Sequence, residues 1–371
     1  MTNKEEIRMA DPWITESEIK TMEDMMRNGW DNYDYVEKFE PEFASYHDRK
    51  FGIMTPNCTQ AIHLLLLALG VKENDEVIAP ECTWTATVAP ITYTKAKPVF
   101  CDITKEDWCL DPDSVKKRIT DKTKAIITVD LYGNMGRMEE LQEIADEHNI
   151  PLIEDSAEAL GSKYKGVKAG KFGIGSVFSF HRTKTITTGE GGMLILDDPE
   201  LYERAMFLRD HGRHPTIPYW TQEATPKYMP SNMQAAIGYA QFKRLDELIN
   251  KKRHLFLKYK EILTDIPDLQ FNIENKDVFN GVWATSLVIG KSHNITKKEI
   301  MQKLQDKGLP SRPFFYPLSM LPAYKNFSGN QELNPNSYDI SDRGITLPAA
   351  YQLTDEQIQT YCNVIKEILK K

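Results

Sequence analysis

Two hydrophobic periods alternate along the first half of the chain. Ile19, Met22, Met25 and Met26 form a helical stripe from Thr15 to Asn28, opened by a Thr-x-x-Glu capping signature and closed by Gly29. The tract W-D-N-Y-D-Y at 30–35 is polar and aromatic and reads as a loop, and Glu37 to His47 returns to helical spacing. Strand-length apolar runs then follow at 53–55, 76–79, 98–102, 125–131 and 152–154. Helical stretches separate them at 61–69, 85–93, 113–119 and 138–148. Such alternation predicts parallel strands joined by crossover helices that cover both faces of a sheet. Two further strands, 177–180 and 193–196, bracket a Thr- and Gly-rich tract suited to a tight turn rather than a helix.

The second half changes character. A helix at 201–210 leads into a loop of about twenty residues rich in Pro, Thr and aromatics, longer than ordinary connections and suggestive of function or a subunit contact. Residues 232–263 read as one long helix, roughly 45–50 Å at the standard rise, N-capped by Ser231 and interrupted only by Gly238. It bridges to a smaller C-terminal unit with a strand at 282–289 and helices at 296–307 and 354–369. The expected division is a large α/β domain with its N-terminal segment at 1–245 and a small domain at 246–371.

Composition narrows the function classes. The 371 residues are 41% hydrophobic and 27% charged, ordinary for a soluble globular protein. A formal charge of −8 argues against general affinity for nucleic acid or an anionic membrane. The five cysteines show neither metal spacing nor a disulfide framework, and no two-His helical motif occurs, so no metal is expected. The opening M-T-N-K-E-E-I-R has no apolar core, and the most apolar run, Ile62 to Leu69, is too short to span a bilayer. The expectation is a cytoplasmic protein.

The candidate chemistry gathers at strand ends. Lys184 stands just past the strand at 177–180, where a lysine is either a solvated surface residue or an amine held beside chemistry. Asp155 ends another buried strand, as a helix cap or as a paired carboxylate. In an open α/β sheet, ligands collect outside the carboxyl ends of the strands. A buried acid that holds a protonated ring nitrogen, beside a lysine that forms an imine, is the division of labour pyridoxal phosphate requires. Asn57-Cys58-Thr59-Gln60 runs into a helix start, which would face a phosphate with N–H groups and the helix dipole, or would simply cap the helix. Ser179 offers a hydroxyl nearby, and Trp84 offers a flat face for a ring or an ordinary core contact. Gly173 and Gly175 do not make a dinucleotide fingerprint, since position 178 is Phe and the stretch leads into a strand.

The runs E-D-S-A-E-A-L-G (154–161), F-S-F-H-R-T-K-T-I-T-T-G-E-G-G (178–192) and S-N-M-Q-A-A-I-G (231–238) resemble the sugar aminotransferases of the DegT/DnrJ/EryC1/StrS family. The resemblance runs from Ile7 to the C-terminal helix. It implies a fold-type I pyridoxal-phosphate transferase, aspartate aminotransferase-like, with a large, mostly parallel sheet and a smaller C-terminal α/β domain. Lys184 would be the Schiff-base lysine and Asp155 the partner of the pyridinium nitrogen. Cys58, Thr59 and Ser179 would hold the phosphate, Trp84 would stack on the ring, and Glu158 would lie close to it. Asn232 would reach the phosphate of a neighbouring subunit's cofactor, since family members share sites across a homodimer. His181 would face substrate. The segment R-P-F-F-Y-P-L-S (312–319), with Arg312 and Tyr316, and the Trp30 loop would border the sugar nucleotide. Two departures stand out: Tyr228-Met229-Pro230 replaces a frequent Arg-Met pair, and Ser319 stands where His is frequent. The implied reaction moves an amino group from glutamate to a nucleotide-linked keto-sugar, with GDP-linked 4-keto-6-deoxyhexose chemistry favoured over dTDP- or UDP-linked. Relatives that carry His in place of the lysine dehydrate their sugars, so Lys184 favours transamination.

Overall fold

The computed structural model describes residues 7–370; Met1 to Glu6, where the opening tract was read for a leader, lie outside them, as does Lys371. Helices α1 (Glu16–Asn28) and α2 (Asp34–Tyr46) precede β1 (Phe51–Thr55), so α2 starts within the tract expected to be a loop. The alternating part follows as α3 (Cys58–Ala68), β2 (Glu76–Pro80), α4 (Thr85–Tyr93), β3 (Lys97–Cys101), α5 (Pro112–Lys116), β4 (Thr123–Val129), α6 (Met138–Glu147) and β5 (Leu152–Asp155). A small hairpin, β6 (Lys163–Tyr164) and β7 (Val167–Lys168), leads to β8 (Gly175–Ser179), β9 (Gly192–Leu196) and α7 (Pro199–Arg209).

The large sheet has the order β1-β9-β8-β5-β4-β2-β3. Strands β3, β2, β4, β5 and β8 are parallel neighbours, whereas β9 pairs antiparallel with both β8 and β1. The reason is local: no helix lies between β8 and β9, so the chain can only double back. Alternate residues serve opposite faces. Ile53, Val77, Ile127, Ile153, Val177 and Leu194 pack with α3, α4 and α7 on one side. On the other, Ile78, Ile126 and Leu152 pack with α5 and α6, while Met54, Phe178, Met193 and Ile195 pack under α2. With both faces covered, ligands can reach the sheet only at its ends.

The expected single helix at 232–263 is two helices, α8 (Asn232–Phe242) and α9 (Leu245–Leu263). Arg244 leaves helical geometry at φ −113°, ψ 18°, and its guanidinium is taken up by Glu18 at 2.7 Å, Glu247 at 2.8 Å and Thr15 at 3.1 Å. The apolar spacing runs on across this break, so periodicity could not show it. Helix α9 then serves two cores: Leu245, Leu248 and Ile249 pack with α2, while Leu255, Tyr259 and Leu263 pack with the C-terminal elements.

Those elements are β10 (Leu269–Phe271), β11 (Val278–Phe279), β12 (Ser286–Ile289), α10 (Lys297–Asp306), β13 (Arg312–Pro313), α11 (Pro335–Arg343), β14 (Gly344–Thr346) and α12 (Asp355–Leu369). An antiparallel sheet of order β10-β12-β14-β13 is backed by α9, α10 and α12. The strand expected at 282–289 begins only at Ser286, because Val282 sits at φ 54°, a conformation no strand contains. Sequence order and spatial grouping also part company. Leu318 and Tyr324 pack into the core under α3, and β11 pairs with β6. Ile7, at the other end, leans on the C-terminal core, and Met9 O accepts from Ala349 N.

Candidate active site

Strands β1, β4, β5 and β8 deliver their carboxyl ends to one edge of the large sheet, where Cys58, Asp155, Glu158 and Lys184 meet. Asp155, the last residue of β5, is buried. Its Oδ2 accepts from Thr87 Oγ1 at 2.8 Å and its Oδ1 from Ala157 N at 3.1 Å. Burial pushes its carboxyl up to about 6 against the pull of those two donors and of the Lys184 charge.

Lys184 lies on the turn between β8 and β9, in a side chain 12% exposed. The turn is held by Lys184 N donating to His181 O at 2.8 Å and Arg182 N to Gly189 O at 2.8 Å, with Gly189 at φ 79°. The Lys184 amine donates to Glu158 Oε1 at 3.0 Å and lies 3.7 Å from the centre of the Trp283 ring. Trp283 is fixed in turn by its Nε1 donating to Thr183 O at 2.7 Å. Glu158 Oε2 accepts from Tyr132 N at 2.9 Å. Tyr132 follows β4 at φ 57°, and its ring lies nearly parallel to Trp283 (5.9 Å, 3°) and Phe315 (5.2 Å, 6°). Two bulky residues in the left-handed region, Tyr132 and Val282, thus hold the two groups that touch the lysine amine: Tyr132 N bonds Glu158, and Val282 precedes Trp283. Such backbone strain persists where the surroundings over-determine it. Here Asn280 Oδ1 accepts from Val282 N at 2.7 Å, and the Glu158 carboxylate secures Tyr132.

Helix α3 opens at the end of β1. Asn57 caps it, accepting from Gln60 N at 3.0 Å, and leaves the N–H groups of Cys58 and Thr59 without a partner among the described residues. The Cys58 thiol is buried, its acidity suppressed first by burial and then by the nearby Asp155 charge, with Lys184 opposing. Gly192 is required here: a Cβ would stand 2.5 Å from Cys58 N and from Asn57 C. Ser179, ending β8, is half-buried and accepts from His181 N at 3.3 Å.

Other expected residues are placed as follows. His181 Nδ1 lies 3.0 Å from Thr183 Oγ1 and its Nε2 3.7 Å from Glu190 Oε1; burial lowers its pKa, the Glu190 charge opposing. Trp84 is 57% exposed at the start of α4, its ring 5.9 Å from that of Phe315. Arg312 and Arg182 are exposed and close enough for their charges to repel, and neither has an acidic partner among the described residues. Tyr316 and Trp30 are exposed. Asn232, expected to reach the phosphate of a neighbouring subunit's cofactor, is tied to the α1–α2 loop within its own chain. Both its amide hydrogens are committed within its own chain, to Gly29 O at 2.8 Å and Asn32 Oδ1 at 3.1 Å, and its Oδ1 accepts from Tyr35 N at 2.9 Å. It holds the Trp30 loop.

Thr87, Tyr132 and Trp283 were not anticipated. Tyr132 carried one usable signal, its place just beyond a buried strand. Thr87 and Trp283 carried none, because their partners lie 68 and 100 residues away.

The arrangement fits pyridoxal phosphate: unpartnered N–H groups at a helix N-terminus for the phosphate, a buried acid for the ring nitrogen, and an amine within reach. Among the described residues no cluster of His, Cys, Asp or Glu could hold a metal, and no helix is long and apolar enough to cross a membrane. An enzyme built around that cofactor is the class this fold and site define. The chain belongs to the DegT/DnrJ/EryC1/StrS aminotransferase family, whose profile matches residues 12–366, and it is a pyridoxal-phosphate-dependent aminotransferase. It is 38% identical over 363 residues to the GDP-perosamine synthase of Escherichia coli O157:H7, covering 97% of this chain and 98% of that one. The GDP-perosamine synthase of Vibrio cholerae is 36% identical over 362 residues, with the same coverage. A Streptococcus pneumoniae protein described as a sugar aminotransferase, solved in its PMP form, superposes with a TM-score of 0.91 at 28% identity, over 98% of this chain and 99% of that one.

Proposed function

We propose that the protein transfers the amino group of glutamate to the keto carbon of a GDP-linked 4-keto-6-deoxyhexose, for surface polysaccharide or glycoconjugate synthesis. It does so as a cytoplasmic homodimer with sites shared between subunits. The observation that carries the chemistry is the Lys184 amine held at 3.0 Å by Glu158 beside the buried Asp155. The relatives named GDP-perosamine synthase support the choice of nucleotide.

Pyridoxal phosphate, when bound, supplies the electron sink that lets a proton leave the carbon bearing nitrogen. Asp155 would keep a proton on its ring nitrogen. Burial raises its pKa to about 6, so its carboxylate form gains from a cationic partner. The N–H groups of Cys58 and Thr59, with the hydroxyls of Thr59 and Ser179, would hold the phosphate, and Trp84 would cover the ring. Lys184 Nζ would carry the proton between the substrate carbon and the cofactor carbon that bear the nitrogen in turn. Glu158 orients that amine and Trp283 shields it. His181, Arg312, Tyr316 and Trp30 border the sugar nucleotide, with Asn232 positioning the Trp30 loop.

The test is mass spectrometry of products from holoenzyme, glutamate and a panel of GDP-, dTDP- and UDP-linked keto-sugars. An amino sugar formed fastest from the GDP-linked substrate is expected. Loss of a hydroxyl without nitrogen gain would make the enzyme a dehydratase, and a clear preference for a dTDP- or UDP-linked substrate would overturn the nucleotide.

A further inference from the structure

Behind Asp155, on the other face of the large sheet, are two carboxyls that the chemistry above does not use. Glu154 precedes Asp155 in β5 and so points the opposite way. Asp130 follows β4, whose Thr128 and Val129 lie level with Glu154 and Asp155, and its N–H donates to Asp155 O at 3.1 Å. Both side chains are wholly buried.

The two are unequally supplied with donors. Glu154 Oε2 accepts from Ser176 Oγ at 2.7 Å, Gly170 N at 2.9 Å and Phe172 N at 3.1 Å. Arg49 Nη2 donates to the same Ser176 hydroxyl at 3.3 Å, and its charge favours the Glu154 carboxylate. Asp130 Oδ2 has one donor, Ser156 Oγ at 2.9 Å. The remaining oxygens, Asp130 Oδ1 and Glu154 Oε1, are buried and accept from no donor among the described residues. What they do have is each other, since the two carboxyls are in hydrogen-bonding contact. The other ionisable groups facing the pair are Arg49 from the stretch before β1, Asp155, and the Cys109 thiol from the loop before α5.

Two ionised carboxylates in contact inside a dry core would repel strongly and leave both of these oxygens unsatisfied. One proton removes both costs, because a protonated carboxyl has a single O–H to give. Glu154, with three donors and Arg49 beside it, is suited to carry the charge. Asp130, with one donor, is suited to carry the proton: burial first, then the charges of Glu154 and Asp155, hold it there against the pull of Ser156. We infer that Asp130 and Glu154 share one proton and act as positioning residues for Asp155, keeping the pair's single negative charge on the Arg49 side and away from the carboxylate that meets the cofactor. The inference rests on Asp155 as the partner of the ring nitrogen and adds the residues that set its electrostatic surroundings. A pair ionised twice would place a further anion behind Asp155 and make that carboxyl keep its own proton.

The test joins infrared spectroscopy of the cofactor-free protein to absorbance titration of the holoenzyme. At about pH 8, far above ordinary carboxylates, wild type should show the carbonyl band of a protonated carboxylic acid that Asp130→Asn lacks, the amide donating to Glu154 in the proton's place. In Glu154→Gln the three donors hold the amide oxygen, so its NH₂ faces Asp130, which must then accept. The charge passes to Asp130, next to Asp155, and the pH midpoint of the bound cofactor's absorption change should rise by about one unit. Adding Asp130→Asn to Glu154→Gln removes that charge and should return the midpoint to the wild-type value, a rescue that a purely structural role would not give. A wild type without the band, or a band kept in Asp130→Asn, overturns the shared proton. A midpoint unmoved in Glu154→Gln, with the band as expected, overturns the influence on Asp155. An Asp155→Asn protein that binds pyridoxal phosphate as tightly as wild type overturns the reading of Asp155 itself and leaves the shared proton standing.

Discussion

Replacing Asp155 by Asn should make the cofactor-free protein more stable while making the enzyme useless. Asp155 is fully enclosed, and its carboxyl is raised from an ordinary value near 4 to about 6, burial being the largest cause. A raised carboxyl costs stability as pH rises. At low pH the group is protonated in both folded and unfolded chains and contributes nothing. Between about 4 and 6 the unfolded chain releases a proton that the folded chain keeps, and above 6 the full penalty is felt. A gap of about two pH units corresponds to about 3 kcal/mol at ~1.36 kcal/mol per pH unit. Asn has the same shape and no charge; its Oδ1 can keep the bond from Ala157 N while its Nδ2 donates to Thr87 Oγ1, whose hydroxyl turns to accept. Urea unfolding of the cofactor-free proteins should therefore show Asp155→Asn equal to wild type near pH 4. It should be more stable by about 2–3 kcal/mol near pH 8. With cofactor the order reverses: the variant binds pyridoxal phosphate more weakly and has lost most of its turnover. A variant less stable than wild type at pH 8, or a stability gap that does not change with pH, would refute the burial argument.

Three further outcomes follow from the same contacts. Glu158→Ala unhooks the Lys184 amine and leaves the buried Tyr132 N–H unpaired, so kcat should fall by about one to two orders of magnitude and stability by about 1–3 kcal/mol. Glu158→Gln should restore most of the stability but not the rate, measured by denaturation and steady-state kinetics side by side. Gly192→Ala drives a Cβ into backbone at 2.5 Å, so the α3 N-terminus must shift; cofactor affinity should drop far more than thermal stability, read by titration of the apoenzyme. Arg209→Ala strands the buried Glu40, which is bonded to both Arg209 and Met54 N, and should destabilise the fold by about 3–5 kcal/mol with little change in KM.

Sequence pattern and structure agree where a feature is local. The crossover strands β2 to β5, the cap at Asn57 and the carboxylate ending β5 are all set by residues within a turn of one another. The resemblance carried the lysine. Direction and discontinuity were not legible. An apolar run such as Met193 to Leu196 has the same pattern whichever way it runs, so β9 reads as one more strand until the missing helix before it is weighed. The break at Arg244 leaves the apolar period intact, because a charged residue turns out of the helix to meet Glu18 and Thr15 far upstream. Val282 is β-branched and reads as strand. Its φ of 54° is imposed by Asn280 and Trp283, whose partners come from the β4 end and the lysine turn.

The account stands on Lys184 as the group through which nitrogen passes from donor to sugar. The most direct measurement is a single turnover of holoenzyme with ¹⁵N-glutamate and a GDP-linked 4-keto-6-deoxyhexose, followed by mass spectrometry of both products, for wild type and Lys184→Ala. Wild type should yield 2-oxoglutarate and an amino sugar carrying the ¹⁵N label in equal amounts, and Lys184→Ala should yield neither. A labelled amino sugar from Lys184→Ala at the wild-type rate, or a sugar that loses a hydroxyl and gains no nitrogen, would contradict it.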